Sequence, residues 1–179
     1  MAGIEVLRLG HRIERDKRLT THVGLAARAF GASKLYYSGD RDKTVETSIA
    51  KVVEDWGGEF EAVYVGDWRR LLKDKQGEGY LLIHLTMYGL PIQNIIDEVR
   101  RLHREKNILV IVGGEKVERA AYIMADYNVS VTSQPHSEVS ALAVFLDWLQ
   151  EGRELEKTYA DAKKIIIPSA RGKTVKRRG

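Results

Sequence analysis

The segment Asn107–Val117, NILVIVGGEKV, has the pattern of a buried strand that ends in a glycine pair. Residues 108–112 form an unbroken, mostly β-branched apolar run, which is typical of a strand covered on both faces of a parallel sheet. Gly113 and Gly114 either reverse the chain or let a ligand lie against the backbone at the carboxyl end of a central strand. The segment predicts an open sheet and leaves both explanations for the glycines standing.

The rest of the chain alternates strand-like runs with helical periods. We predict strands over residues 4–9, 34–37, 60–65, 80–85, 108–112 and 129–132, and helices over residues 21–30, 44–56, 68–75, 91–105, 117–125 and 137–149. This alternation predicts an α/β fold with a mostly parallel sheet flanked by helices. No G-x-G-x-x-G follows the first strand and no G-x-x-x-x-G-K-[ST] occurs, so neither the common dinucleotide loop nor a P-loop is supported.

Length and composition favour one main domain. The 179 residues are 44% hydrophobic and 30% charged, which suits a single core with a small appendage. We predict a domain over residues 1–152 and a basic C-terminal extension over residues 153–179. The lack of cysteine excludes disulfides and thiolate chemistry, and the five histidines lack metal-ligand spacing, so we predict no metal site. No apolar run is long enough to cross a bilayer, which predicts a cytoplasmic protein without a membrane segment.

Positive charge is concentrated at both ends of the chain. The N-terminal cluster contains Arg8, Arg12, Arg15, Lys17 and Arg18, and the C-terminal cluster contains Lys163, Lys164, Arg171, Lys173, Lys176, Arg177 and Arg178. Such clusters suit the phosphate backbone of nucleic acids. A frayed, solvated terminus explains the end of the tail equally well. The N-terminal cluster is harder to explain in that way, because it includes His11 and precedes a strand-to-helix connection.

Three segments at the ends of later strands combine glycine with polar residues. They are HLTMYG (His84–Gly89), VGGEKV (Val112–Val117) and VTSQPHSEVSALAVFL (Val131–Leu146). Parallel strands end at the same edge of a sheet, so these segments are expected to converge on one pocket. Within the third segment, a plain helix cap accounts fully for Ser137. His136 has a side chain suited to general base catalysis, although a lone histidine beside a cap is more often structural.

Arg28 interrupts the apolar period of the first predicted helix, among small alanines. A charge in that position must find a partner. One explanation is an arginine at the edge of the core, paired with a carboxylate. The other is a guanidinium directed at a phosphate or a reacting hydroxyl. The residues alone do not favour either explanation.

Four stretches together resemble one family: LRLGHRIERDKRLTTHVGLAARAFGA, HLTMYG, NILVIVGGEKV and NVSVTSQPHSEVSALAVFLDWL. They are similar to the archaeal tRNA cytidine-56 2′-O-methyltransferase family, a branch of the SPOUT (trefoil-knot) methyltransferases, and the resemblance runs from about residue 7 to residue 149. It implies a SPOUT-type fold with a deep C-terminal trefoil knot, a homodimer, S-adenosyl-L-methionine as cofactor and tRNA as partner. Knots are too rare for periodicity to predict one.

The resemblance also assigns roles to individual residues. It implies that Arg28 is the catalytic residue, with His22 where the wider superfamily often has asparagine. The implied cofactor-binding residues are Leu85, Thr86, Gly113, Gly114, Glu115, Lys116, Val117, Val131, Thr132, Ser133, Gln134, Pro135, His136 and Ser137. The implied role of the glycine pair is to let the loop turn tightly around the cofactor. Glu118 departs from the family pattern, in which proline is often found there.

We further expect Arg8, His11, Arg12, Arg15 and Arg18 to approach the tRNA backbone, because they are contiguous with the segment that carries Arg28. The implied reaction is 2′-O-methylation of cytidine 56 in the T loop. An arginine pKa above 12 makes a poor base, so we expect Arg28 to orient the 2′-hydroxyl and its 3′-phosphate. Two alternatives are a related enzyme that modifies another RNA nucleotide and an RNA-binding protein of the same fold without activity.

Overall fold

The computed structural model describes residues 2–16, 18–114 and 116–178. Six strands and six helices alternate, followed by a short helix and a hairpin. In chain order they are β1 (Ile4–His11), α1 (Leu19–Ala29), β2 (Lys34–Gly39), α2 (Lys43–Trp56), β3 (Glu61–Tyr64), α3 (Trp68–Gly77), β4 (Leu81–Pro91), α4 (Ile92–His103), β5 (Ile108–Gly113), α5 (Arg119–Met124), β6 (Tyr127–Ser130), α6 (Glu138–Gln150), a 3₁₀ helix (Arg153–Glu156), β7 (Lys164–Ile167) and β8 (Thr174–Arg177). All six predicted strands and all six predicted helices are present.

The first six strands form one parallel sheet in the order β3-β2-β1-β5-β4-β6. The central strand β5 is buried along its apolar run, as its β-branched sequence predicts. Leu9 pairs with Gly113, so β1 and β5 end together at the carboxyl edge of the sheet. The predicted parallel sheet flanked by helices is confirmed. The trefoil knot stays a prediction.

Alternate side chains of each strand supply two separate cores, one on each face of the sheet. Val6, Val110 and Ile83 belong to the core covered by α1, α2, α4 and α6. Leu7, Leu109 and Leu82 belong to the core covered by α3 and α5. Burial on both faces explains why the central strand β5 contains no polar side chain.

β4 continues beyond the predicted end at Leu85, through an irregularity between Leu85 and Leu90. Its second pairing with β6, Leu90 with Val129, follows a bulged segment, residues 86–89. A Cβ on Gly89 would lie only 2.5 Å from the backbone carbonyl of Asn128. Glycine is therefore required at this position for the bulge to pack against β6.

The C-terminal extension packs against the end of α2 and then forms the antiparallel hairpin β7–β8. Gly58 donates its N–H to both carboxylate oxygens of Asp161 at 3.0 Å. Lys163 and Lys164 pair with Glu54 and Asp55 at 2.8 and 2.6 Å. The extension is therefore held in place through residue 178, where the backbone N–H bonds to the Lys163 carbonyl, and the frayed-tail alternative is not supported. The domain boundary at residue 152 stays a prediction.

Within the described residues, no helix is both long and apolar enough to span a membrane. The same residues contain no cluster of three or more histidine, aspartate or glutamate side chains suited to a metal ion.

Candidate functional site

A cavity of about 390 Å³ lies at the carboxyl ends of β4, β5 and β6. This volume is within the range of small-molecule sites, and the edge is where parallel α/β sheets bind ligands. The three segments predicted to converge do meet here. The lining residues are His84, Leu85, Thr86, Met87, Tyr88, Val112, Gly113, Gly114, Val117, Tyr122, Val129, Val131, Pro135, His136, Glu138 and Ala141.

The two glycines at the end of β5 have different tasks. A Cβ on Gly113 would collide with the side chain of Val117, so this position needs glycine for the chain to fold back on itself. A Cβ on Gly114 would meet no atom within 4 Å, because the backbone there borders open space at the cavity. The turn explanation describes Gly113, whereas the approach of a ligand to the backbone at Gly114 stays a prediction.

His84 belongs to the wall of the cavity, and its side chain is completely buried. Asn128 donates its amide to the Tyr122 carbonyl at 2.9 Å, so its oxygen faces His84 Nδ1 at 2.8 Å and Nδ1 carries the proton. Burial lowers the pKa of His84, although the hydrogen bond with Asn128 opposes this. The ring is therefore neutral at pH 7. Its Nε2 lone pair is buried without a partner among the described residues.

Some of the predicted cofactor residues line the cavity and others do not. Lining residues from the prediction are Leu85, Thr86, Gly113, Gly114, Val117, Val131, Pro135 and His136. Of the described residues, Lys116, Thr132, Ser133, Gln134 and Ser137 lie outside its lining, and Glu115 lies outside the described residues. Ser137 is the N-cap of α6 and accepts a hydrogen bond from the Val139 N–H at 3.2 Å. The plain-cap explanation of Ser137 thus describes its contacts in the structure.

Sequence reasoning missed eight lining residues: His84, Met87, Tyr88, Val112, Tyr122, Val129, Glu138 and Ala141. His84, Met87 and Tyr88 belong to the quoted HLTMYG segment, where the strand-end position was itself the signal. Tyr122 lies on the short helix α5, and its hydroxyl is 3.1 Å from Thr86 Oγ1. Nothing in its local sequence indicated that α5 faces the cavity.

Arg28 lies away from the cavity, near the amino-terminal edge of the sheet. The end of α1 is there, close to the start of β1: the Ser33 N–H, just beyond the helix, bonds to the Ile4 carbonyl. The Arg28 guanidinium donates to the carbonyls of Trp56 and Gly57 at 3.0 and 2.5 Å and stacks over the Tyr159 ring. Nη2 therefore has two carbonyl acceptors, whereas Nε is buried without a partner among the described residues. The catalytic role of Arg28 stays a prediction that this position does not support.

Two residues predicted to approach RNA are buried. Arg8 is 1% exposed, and its Nη2 contacts Asp16 Oδ2 at 3.1 Å and Glu138 Oε1 at 3.2 Å. His11 is 0% exposed, with Nδ1 2.7 Å from Thr20 Oγ1. Direct contact with a nucleic acid backbone is wrong for both in this structure, because their side chains point into the protein rather than to solvent.

The other three arginines of the N-terminal cluster, Arg12, Arg15 and Arg18, are exposed. They lie on the connection between β1 and α1, which we call the basic loop (residues 12–18). The loop follows the carboxyl end of β1, so it is on the same edge of the sheet as the cavity. A small-molecule cavity beside a positively charged loop suits an enzyme that acts on a nucleic acid.

Comparison with known proteins is consistent with this arrangement. A family model described as tRNA ribose 2′-O-methyltransferase, aTrm56, matches residues 56–176. A Methanocaldococcus jannaschii protein named tRNA (cytidine(56)-2′-O)-methyltransferase is 54% identical over 172 residues, covering 96% of this chain and 95% of that protein. A Pyrococcus abyssi protein of the same name is 55% identical over 174 residues, covering 96% and 86%.

Solved structures support the fold. A structure described as "A. aeolicus TrmH/SpoU tRNA modifying enzyme" superposes with a TM-score of 0.62 at 16% identity, over 86% of this chain and 77% of that one. The SpoU methyltransferase AviRb from Streptomyces viridochromogenes, in complex with AdoMet, gives 0.59 at 18% identity, over 84% and 58%. At identities this low, the superpositions show a shared SPOUT-type fold alone. With the family model and the near full-length relatives, it follows that this chain belongs to the tRNA ribose 2′-O-methyltransferase family, aTrm56.

Proposed function

We propose that this chain methylates the ribose 2′-oxygen of cytidine 56 in tRNA, with S-adenosyl-L-methionine as the methyl donor. The observation that carries the proposal is the cavity at the carboxyl edge of the sheet with the exposed basic loop beside it. Relatives with 54% and 55% identity have names that state this substrate and position. The chain therefore combines a small-molecule site with a surface for RNA.

The cavity residues fit this cofactor. Apolar walls from Leu85, Val112 and Val129 suit an adenosine, and the open backbone at Gly114 lets a ligand approach closely. When bound, S-adenosyl-L-methionine supplies a methyl group activated by the sulfonium. The chain must hold the ribose oxygen in line with that methyl group, and such positioning accounts for a large part of catalysis.

The test is incubation of the purified protein with unmodified tRNA transcript and methyl-labelled S-adenosyl-L-methionine, followed by digestion and identification of the labelled nucleoside. We expect label in 2′-O-methylcytidine, and loss of the label when cytidine 56 is replaced by uridine. Label at another nucleotide would contradict the assigned position. Cofactor binding with no label in any tRNA would indicate a binding protein rather than an enzyme.

The basic loop is proposed to bind the tRNA backbone through Arg12, Arg15 and Arg18. The double charge reversal Arg12→Glu and Arg15→Glu is expected to reduce tRNA affinity at least roughly tenfold in moderate salt, because two phosphate contacts become repulsive. Filter binding would measure the dissociation constant and its salt dependence. Affinity for S-adenosyl-L-homocysteine should be unchanged. Unaltered tRNA binding in the double variant would remove this loop from the interface.

Cofactor affinity is expected to depend on the protonation of His84. Because burial lowers its pKa below the ordinary 6.5, the ring stays neutral as the pH falls to that value. Below the folded-state pKa a proton occupies Nε2 and places a positive charge in the buried wall of the cavity. The stability that the neutral ring contributes above pH 6.5 is then lost. Calorimetric titration with S-adenosyl-L-homocysteine should therefore show constant affinity from pH 8 to 6.5 and weaker binding at lower pH.

The control is a second buried histidine. Burial also lowers the pKa of His103, but His103 does not line the cavity at the carboxyl edge. His84→Asn should flatten the acid limb of the binding curve, whereas His103→Asn should retain it. An identical pH profile in both variants would show that the charge of His84 does not affect the cofactor site.

We also propose that the protein is a homodimer and acts in the cytoplasm. The outer face of α6 supports a dimer, because Val144 and Trp148 lie one turn apart and are 41% and 37% exposed. Exposed apolar side chains grouped in this way are typical of protein interfaces. Sedimentation equilibrium should give about twice the chain mass of 20.3 kDa, and a mass of one chain would contradict the dimer. Recovery of the protein from a washed membrane fraction would contradict the cytoplasmic location.

A further inference from the structure

One buried guanidinium joins the basic loop to the wall of the cavity. Arg8 lies on β1 beside Val112 of β5, and Val112 lines the cavity. A single nitrogen of Arg8, Nη2, contacts Asp16 on one side and Glu138 on the other, at 3.1 and 3.2 Å. The cationic side chain is almost completely buried, so it depends on these two carboxylates for compensation.

Asp16 is the anchor of the basic loop. Its carboxylate accepts the Arg12 N–H at 3.1 Å, and its own N–H bonds to the Arg12 carbonyl at 2.7 Å. Its carbonyl accepts the N–H of Leu19, the first residue of α1. Burial alone would raise the pKa of Asp16, but the Arg8 charge and the hydrogen bonds from Arg12 and Arg8 lower it overall. Asp16 is thus a charged, fixed point at the base of the exposed arginines.

Glu138 is the corresponding point on the cavity. It is the first residue of α6, directly after the cap Ser137, and it lines the cavity. Its side chain is 13% exposed, so the contact with Arg8 is largely shielded from water. A ligand that restrains this wall of the cavity therefore also restrains Glu138.

We infer that Arg8 is a positioning residue that couples the cavity to the basic loop, so that cofactor binding and tRNA binding strengthen each other. The two carboxylates share one nitrogen, so a displacement of Glu138 changes the contact left for Asp16. Nε and Nη1 of Arg8 are buried without partners among the described residues, so the guanidinium has no alternative acceptor to absorb the change. A bound cofactor fixes Glu138, Arg8 and the loop before tRNA arrives, which reduces the ordering cost of the second binding step. The inference rests on the proposed function.

The experiment measures tRNA affinity with and without saturating S-adenosyl-L-homocysteine, using an unmodified tRNA transcript. In the unaltered protein we expect bound S-adenosyl-L-homocysteine to raise the affinity for tRNA at least roughly fivefold. Bound tRNA should raise the affinity for S-adenosyl-L-homocysteine by the same factor, because coupling is reciprocal. Arg8→Lys keeps the charge but replaces the guanidinium, whose Nη2 contacts both carboxylates, with a shorter side chain. In that variant the coupling factor, which is the ratio of the tRNA affinities with and without S-adenosyl-L-homocysteine, should fall towards one.

Two further variants separate coupling from simple loss of structure. Asp16→Asn weakens the loop side of the connection and should also reduce the factor, and it carries the test if Arg8→Lys fails to fold by circular dichroism. Arg12→Gln removes an exposed charge of the loop. It should weaken tRNA binding equally with and without S-adenosyl-L-homocysteine and leave the factor unchanged.

A factor of one in the unaltered protein, or an unchanged factor in both Arg8→Lys and Asp16→Asn, would overturn the inference. Neither result would affect the proposed function if the unaltered protein still labels cytidine 56. Absence of that label would instead overturn the proposed function itself.

Discussion

Replacing Arg28 with methionine is expected to lower the free energy of unfolding by about 3 kcal/mol. The change removes a guanidinium that donates to two carbonyls, those of Trp56 and Gly57, and charged hydrogen bonds of this kind are worth roughly 1.5–3 kcal/mol each. It also removes the cation stacked over Tyr159, at 4.8 Å from the ring centroid. Urea denaturation followed by circular dichroism would measure the loss.

The matched control is Arg18→Met, at the start of the same helix. Arg18 is exposed and makes no side-chain capping hydrogen bond, so its replacement should change the stability by less than about 0.5 kcal/mol. The methylation rate per folded molecule decides the role of Arg28. A structural role predicts that Arg28→Met keeps this rate at a temperature where the variant is folded. Full stability with the methylation rate abolished would restore the catalytic assignment.

For Arg28, the sequence indicated the need for a partner but not where that partner lies. The helical period correctly placed a charge among small residues and required a partner for it. The spacing could not reveal that α1 runs from the carboxyl edge of the sheet to the amino-terminal edge. The partners are backbone carbonyls at the end of α2. A pattern of side chains does not indicate which backbone carbonyls are available to accept a hydrogen bond.

Arg8 shows the opposite case, in which the sequence contained a usable signal. The predicted strand covers residues 4–9, and period-two alternation puts Arg8 on the same face as Ile4 and Val6. Those two residues are buried against the helices. The clustering of charge along the chain grouped Arg8 with Arg12. Strand alternation separates them, because it places Arg8 on a buried face, whereas Arg12 lies beyond the strand and is exposed.

The sheet was predictable because its strands are short apolar runs bounded by turn residues. The packing of the C-terminal extension was not predictable, because it depends on contacts between distant parts of the chain. A glycine pair such as Gly57 and Gly58 is typical of a turn, and their φ values are 74° and 81° in the structure. The pair did not indicate how closely the extension packs against this turn. A Cβ on Gly57 would collide with Ala162, and a Cβ on Gly58 would collide with Tyr159.

The second large effect is expected at Gly89, where alanine should destabilise the fold by about 3 kcal/mol. A Cβ here would lie 2.5 Å from the carbonyl carbon and oxygen of Asn128 and from the Val129 nitrogen. These are backbone atoms of β6, so the strain can be relieved only if β4 and β6 separate. Thermal or urea denaturation would measure the destabilisation.

The same substitution should weaken binding of S-adenosyl-L-homocysteine at least roughly tenfold, which corresponds to about 1.4 kcal/mol. Thr86, Met87 and Tyr88, in the bulge before Gly89, line the cavity, and Asn128 holds the ring of His84. Separation of the strands therefore disturbs two walls of the cavity together. Calorimetry at a temperature where the variant is folded would isolate this effect from unfolding.

Gly77→Ala provides the control for this pair of measurements. Gly77 is the last residue of α3, and a Cβ there would meet no atom within 4 Å. Alanine in a helix is favoured over glycine by roughly 0.5–1 kcal/mol, so this variant should be as stable as the unaltered protein or slightly more so, with unchanged binding. If Gly89→Ala behaved like Gly77→Ala, the close packing of the β4 bulge against β6 would not be what shapes the cofactor site.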